Sequence, residues 1–178
     1  MTDLLEHPIV LKAKEYATEK HTGQKRKYTG EDYIVHPEEV ATIVADLPDS
    51  TPEMIAAAYL HDVLEDTDTH LFDIAEEFGW TIAHHVGGLT DVSRPEHGNR
   101  AYRKRLDREW LESQEAEVQT IKMADLLSNS ASIMERDKEF AKVYMHEVKL
   151  LHNALYLADM SLSDKVEGII KLYYEGVD

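Results

Sequence analysis

Ala58-Tyr59-Leu60-His61-Asp62-Val63-Leu64-Glu65-Asp66-Thr67 places one imidazole and three carboxylates within six residues of an otherwise apolar segment. Charges on an apolar helix are costly to bury unless they are paired or hold a metal. The apolar positions assign this stretch to a buried helix. The polar positions ask for a divalent cation and point to hydrolytic chemistry.

The pattern on either side is helical as well. Ser50 or Thr51 caps the helix, Pro52 and Glu53 fill its first turn, and it is expected to run to about Asp66. Upstream, Ile9, Val10, Ala13, Tyr16 and Ala17 share one face of a helix over 8–21. Gly23 and Gly30 break a loop from Thr22 to Tyr33. Pro37 suits the first turn of a helix over 37–46. Downstream, helices are predicted over 70–78, 80–91, 99–113, 115–136 and 138–159, and a last one is capped by Ser161 or Ser163. No β alternation, linker or repeat is visible. The expected fold class is all-α, a compact helical bundle, with residues 1–178 as a single domain.

Composition narrows the function. A formal net charge of −16 disfavours nucleic acid and anionic membranes. The absence of cysteine excludes disulfides and thiolate metal sites. No apolar run reaches transmembrane length, and the N-terminus lacks a signal-peptide pattern. The expectation is a cytoplasmic protein with no DNA, RNA or membrane partner, its oligomeric state open. Basic residues concentrate in Lys25-Arg26-Lys27 and in Arg94, Arg100, Arg103, Lys104, Arg105 and Arg108. Such clusters in an acidic chain suit a small polyanion. The plainer reading is solvated helix faces paired with local acids such as Asp107 and Glu109.

Four candidate metal ligands emerge: His36, His61, Asp62 and Asp125. Imidazole with carboxylate suits Mn²⁺, Fe²⁺ or Zn²⁺, and oxygen-rich sites with open positions favour Mn²⁺. Glu65 lies four residues after His61, and Asp66 four after Asp62, on or beside the same face. A carboxylate there can take a proton from an attacking water. Crowding of like charges would raise one of their pKa values. Asn129 lies four residues after Asp125, on a face shared with Lys122, and suits substrate positioning. His84 and His85 lack acidic company and read as structural or surface residues.

These segments resemble the HD-domain hydrolases. More narrowly they resemble the hydrolase domain of RelA/SpoT homologues and the stand-alone small alarmone hydrolases. The resemblance rests on His21-Thr22-Gly23-Gln24-Lys25-Arg26-Lys27, on Gly30 to His36-Pro37, on His61-Asp62 with Leu64-Glu65-Asp66-Thr67, and on Ile121-Lys122-Met123-Ala124-Asp125 with Asn129. It spans about residues 8–158. It implies an all-α HD fold holding one Mn²⁺ through His36, His61, Asp62 and Asp125, with Glu65 and Asp66 activating water. The implied reaction removes pyrophosphate from the 3′ position of guanosine tetra- or pentaphosphate. Arg26 and Lys27 would lie near the nucleobase and phosphates. Asn129 would meet the sugar and Tyr144 the substrate. Within the basic run 94–108, Arg103 is the candidate phosphate contact. No synthetase or regulatory region follows, so a stand-alone hydrolase is expected.

Three functions are weighed. The first is a Mn²⁺-dependent 3′-pyrophosphohydrolase of guanosine or adenosine alarmones. The second is an HD phosphohydrolase of another nucleotide such as NADPH. The third is a non-catalytic helical nucleotide-binding protein. The Glu65-Asp66 doublet favours the first, because general HD phosphatases need not have it. The complete set of ligands and acids argues against the third.

Overall fold

The computed structural model describes residues 4–176, and every regular element in it is helical. Among the described residues, β structure is confined to an isolated antiparallel bridge between Lys25 and Asp32. The chain divides into two compact units, one ending at Thr90 and the other beginning at Asp91.

The first unit contains α1 (Pro8–Lys20), α2 (Val35–Ala45), α3 (Pro52–Leu60), α4 (Val63–Asp66), α5 (Leu71–Phe78) and α6 (Trp80–Leu89). Helix α3 is its centre, with α1, α2 and α6 packed against it. Residues 54–60 of α3 are all buried. A helix that is apolar all round belongs inside, and its three alanines favour helix and let neighbours approach closely. Thr51, rather than Ser50, caps α3: its hydroxyl accepts from the Met54 amide, with Pro52 following.

The expected single helix through Asp66 is interrupted. Helix α3 stops at Leu60, and α4 begins at Val63. His61 and Asp62 occupy the break, Asp62 with φ −97° and ψ −5° in the sparsely populated bridge region. On an unbroken helix, adjacent side chains diverge by roughly 100°.

The second unit contains α7 (Arg100–Glu112), α8 (Ala116–Arg136), α9 (Lys138–Ala154) and α10 (Met160–Glu175). Helices α7, α9 and α10 pack on α8, whose Val118, Ile121, Met123 and Ala124 are fully buried. Two boundaries differ from expectation. Helix α9 ends at Ala154, short of 159, because two polar side chains of α8 take up the backbone that follows. Gln119 Oε1 accepts from the Leu157 amide at 2.9 Å, and Thr120 Oγ1 from the Asp159 amide at 3.0 Å. Helix α10 is capped by Asp159, not by Ser161 or Ser163. The Asp159 carboxylate accepts from the Leu162 amide at 3.1 Å and from the Ser161 hydroxyl. An anion there also gains from the helix dipole, which a serine cannot.

Candidate functional site

In the first unit, His36, His61 and Asp62 converge. Each offers one ligand atom, and these atoms lie within 4.8 Å of one another. His36 stands in the first turn of α2 and is 2% exposed. His61 and Asp62 come from the break between α3 and α4. Asp62 Oδ2 lies 3.0 Å from His61 Nε2 and 3.8 Å from His36 Nε2. The two imidazole rings meet edge-on at 5.1 Å.

The arrangement fits a divalent cation. His61 Nδ1 lies 2.7 Å from the Ala58 carbonyl oxygen. A carbonyl can only accept, so Nδ1 carries a proton, and when the ring is neutral Nε2 presents a lone pair. That lone pair faces a carboxylate oxygen, also an acceptor, at 3.0 Å. Two acceptors so close need a positive charge between them. A second ring proton or a metal ion supplies it, and this donor set of two imidazoles and a carboxylate suits a metal.

Tyr33 supports the same oxygen, its hydroxyl donating to Asp62 Oδ2 at 2.7 Å. Its ring packs on His21 at 4.8 Å and on His36 at 6.1 Å. Groups that orient a metal-binding carboxylate commonly change metal affinity ~10–100-fold when removed. Tyr33→Phe is therefore expected to weaken divalent-metal binding by about ten-fold or more while leaving the melting temperature nearly unchanged. Titration of metal-stripped protein measures this, and unchanged affinity removes the hydroxyl from metal support.

Glu65 and Asp66 follow on α4, both exposed as residues. The Asp66 carboxyl is nonetheless pushed above the usual carboxylate range, first by partial burial and then by the neighbouring Asp62 charge. Tyr33, His21 and His61 oppose the shift. Crowding thus acts as expected, with desolvation the larger cause. The Asp66 backbone is also tied down: its carbonyl accepts from Gln24 Nε2 at 2.8 Å. Gln24 reaches it after Gly23 turns the chain at φ 84°, a conformation that favours glycine. Gln24 Oε1 in turn meets His21 Nδ1 at 2.8 Å.

Arg26 and Lys27 lie in the loop after α1. The Lys27 ammonium sits 4.6 Å from the Tyr28 ring centroid and 3.0 Å from its hydroxyl.

In the second unit, Asp125 is 6% exposed on α8. Lys122 Nζ donates to its Oδ2 at 2.8 Å and Asn129 Nδ2 to its Oδ1 at 2.7 Å. All three line a cavity of about 230 Å³ together with Tyr144. Burial pushes the Tyr144 phenol far up, and the nearby Asp125 charge adds to this. Arg100, Lys104 and Arg108 also line the cavity, spaced by four along one face of α7. Arg103 is not among the lining residues.

The HD-domain family model matches residues 13–155. The chain belongs to the HD-domain family. Its matched region runs through both units, from α1 to just past α9. This HD-domain chain is 38% identical over 143 residues to a guanosine-3′,5′-bis(diphosphate) 3′-pyrophosphohydrolase of Aquifex aeolicus, covering 76% of the chain and 20% of the relative. It is 34% identical over 134 residues to a GTP pyrophosphokinase of Streptomyces coelicolor, covering 74% of the chain and 16% of the relative. The chain thus spans a fifth or less of these longer relatives. The MESH1 guanosine-3′,5′-bis(diphosphate) 3′-pyrophosphohydrolase of Danio rerio is nearer in length. It is 38% identical over 124 residues, 68% of the chain and 67% of the relative. A solved structure of a metazoan ortholog of SpoT that hydrolyses ppGpp superposes with a TM-score of 0.82 at 28% identity, covering 93% of this chain and 95% of that one.

Several residues that shape the first unit's cluster or the second unit's cavity carry little signal in the sequence. Tyr33 and Gln24 are 29 and 42 residues from the groups they touch. The spacing Tyr33-x-x-His36, one helical turn, is the one local hint. Glu147, which also lines the cavity, sits 47 residues from its partner Arg100.

Proposed function

We propose that the chain is a Mn²⁺-dependent 3′-pyrophosphohydrolase of alarmone nucleotides, (p)ppGpp or (p)ppApp. The observation that carries this reading is the convergence of His36, His61 and Asp62, whose ligand atoms lie within 4.8 Å of one another, with Glu65-Asp66 immediately following. Likeness to the MESH1 hydrolase of Danio rerio supports the choice of substrate. The proposed ligands are His36, His61, Asp62 and Asp125. A divalent cation held by them supplies Lewis acidity toward water and a phosphoryl oxygen.

Water attacks the phosphorus attached to the ribose 3′ oxygen, and the bond between them breaks. Glu65 or Asp66 accepts a proton from the attacking water, which the raised pKa of Asp66 suits it to do. The 3′ oxygen departs as a hydroxyl, leaving GDP or GTP, or the adenosine equivalents, and pyrophosphate. Asn129 and Tyr144 position the sugar and the substrate, and Arg26 and Lys27 meet the base and phosphates. Arg100, Lys104 and Arg108 add to the cations available to the pyrophosphate beyond Arg103.

The test is product analysis by ion-exchange chromatography after incubating the purified protein and Mn²⁺ with ppGpp, ppApp and NADPH. Pyrophosphate with GDP or ADP is the expected result and reports the preferred purine. Orthophosphate with NADH as the main product would instead assign a nucleotide phosphatase. Replacing Mn²⁺ by Fe²⁺ or Zn²⁺ after chelation identifies the working metal.

A further inference from the structure

The cavity of the second unit is balanced in charge. Lys104 pairs with Asp91 at 2.7 Å and approaches Asp107 at 3.7 Å. Lys122 pairs with Asp125. Arg100 pairs with Glu147, leaving Arg108 with no ion pair among the described residues. Four cations therefore face four carboxylates along the wall. A site for a ligand with several phosphates begins with no surplus of positive charge.

The carboxylates are not equivalent. Asp107 is 3% exposed and accepts from the Ser93 amide and hydroxyl, so it anchors the segment before α7. Asp125 is held by Lys122 and Asn129. Glu147 instead grips a guanidinium, accepting from Arg100 Nε and Nη2 at 2.7 Å each. Its side chain is 20% exposed and that of Arg100 46%, so the pair lies where a ligand can reach it. The guanidinium also lies over the Phe140 ring, 5.4 Å from the centroid, which fixes its plane. The fork that Arg100 offers a carboxylate is the fork it would offer a phosphate.

We propose that Glu147 is an internal stand-in for a substrate phosphate: it holds Arg100 oriented and yields the guanidinium when a pyrophosphate group enters the cavity. Resting on the reading of this cavity as part of a nucleotide site, the proposal makes Glu147 a determinant of affinity and of phosphate number. A ligand must displace an existing bidentate pair and approach a carboxylate. A pyrophosphate group, with more charge and more oxygens, competes for Arg100 better than a single phosphate does. Discrimination thus comes from a repulsive element as well as an attractive one.

The test is Glu147→Gln, which keeps size and hydrogen bonding and removes the charge. By calorimetry with the protein as purified, inorganic pyrophosphate is expected to bind roughly three- to ten-fold more tightly. The preference for pyrophosphate over orthophosphate should narrow. The KM for ppGpp should fall by a similar factor, with the effect on KM rather than on kcat. In the double variant with Arg100→Gln the gain should vanish, because it acts through the guanidinium. Glu147→Asp, whose shorter side chain cannot hold both nitrogens, should tighten binding partway even if Glu147→Gln folds poorly. Unchanged or weaker pyrophosphate binding in both single variants overturns the proposal, as does an equal gain in the double variant. Tighter pyrophosphate binding without turnover of ppGpp would keep Glu147 in this role and sink the proposed activity; turnover without tightening would do the reverse.

Discussion

Asp62→Ala is expected to strip the protein of its divalent metal and to lower turnover of ppGpp by at least about 10³-fold, the several kcal/mol that a catalytic cation contributes. Asp62 Oδ2 is the point on which the cluster turns: His61 Nε2, His36 Nε2 and the Tyr33 hydroxyl all approach it. Removing the carboxylate takes away a proposed negative ligand and leaves Tyr33 to find another acceptor. Elemental analysis of the purified variant measures the loss, and circular dichroism checks that the helices remain. Asp62→Asn separates charge from hydrogen bonding, since its carbonyl can still accept from Tyr33. It should also lose metal. Asp125→Ala is expected to behave like Asp62→Ala if Asp125 is the fourth ligand. Full metal content in either alanine variant removes that residue from the ligand set.

Asp66→Asn and Glu65→Gln are expected to part company with the ligand variants. Metal content should stay near that of the unaltered protein while kcat falls by roughly 10²-fold or more, the usual cost of a lost acid–base group. Asp66 is the stronger candidate for the base, since its carboxyl is held up by partial burial and by Asp62. Its backbone carbonyl, held by Gln24, keeps the short α4 helix in place without using the carboxyl. Asp66→Asn therefore removes the titrating group and leaves that anchor intact. Near-normal turnover in both variants would take the doublet out of the mechanism.

The helices and most of their starts were legible from local pattern. Thr51 with Pro52 marked the start of α3, and the apolar run behind them marked its burial. These signals are short-ranged: a cap reaches two or three residues along the chain, and an apolar face repeats every turn. The His61-Asp62 pair was legible too, because charge in an apolar helix is conspicuous. Its setting was not. The break between α3 and α4, where both residues sit, has no glycine or proline to announce it.

Other features depended on partners far away in the chain. The end of α9 lies with Gln119 and Thr120, 38 and 39 residues from the amides they accept. Within the basic run 94–108, the turn of α7 put Arg100, Lys104 and Arg108 on the cavity wall and left Arg103 off it. Composition could not foresee that Glu147 would neutralise Arg100 from another helix. Residue type and spacing thus carried the fold class and the chemistry on offer, since both follow from burial and from local hydrogen bonds. Which oxygen faces which nitrogen, and which charge is already matched, came from packing between distant helices, whose contacts leave no periodic trace along the chain.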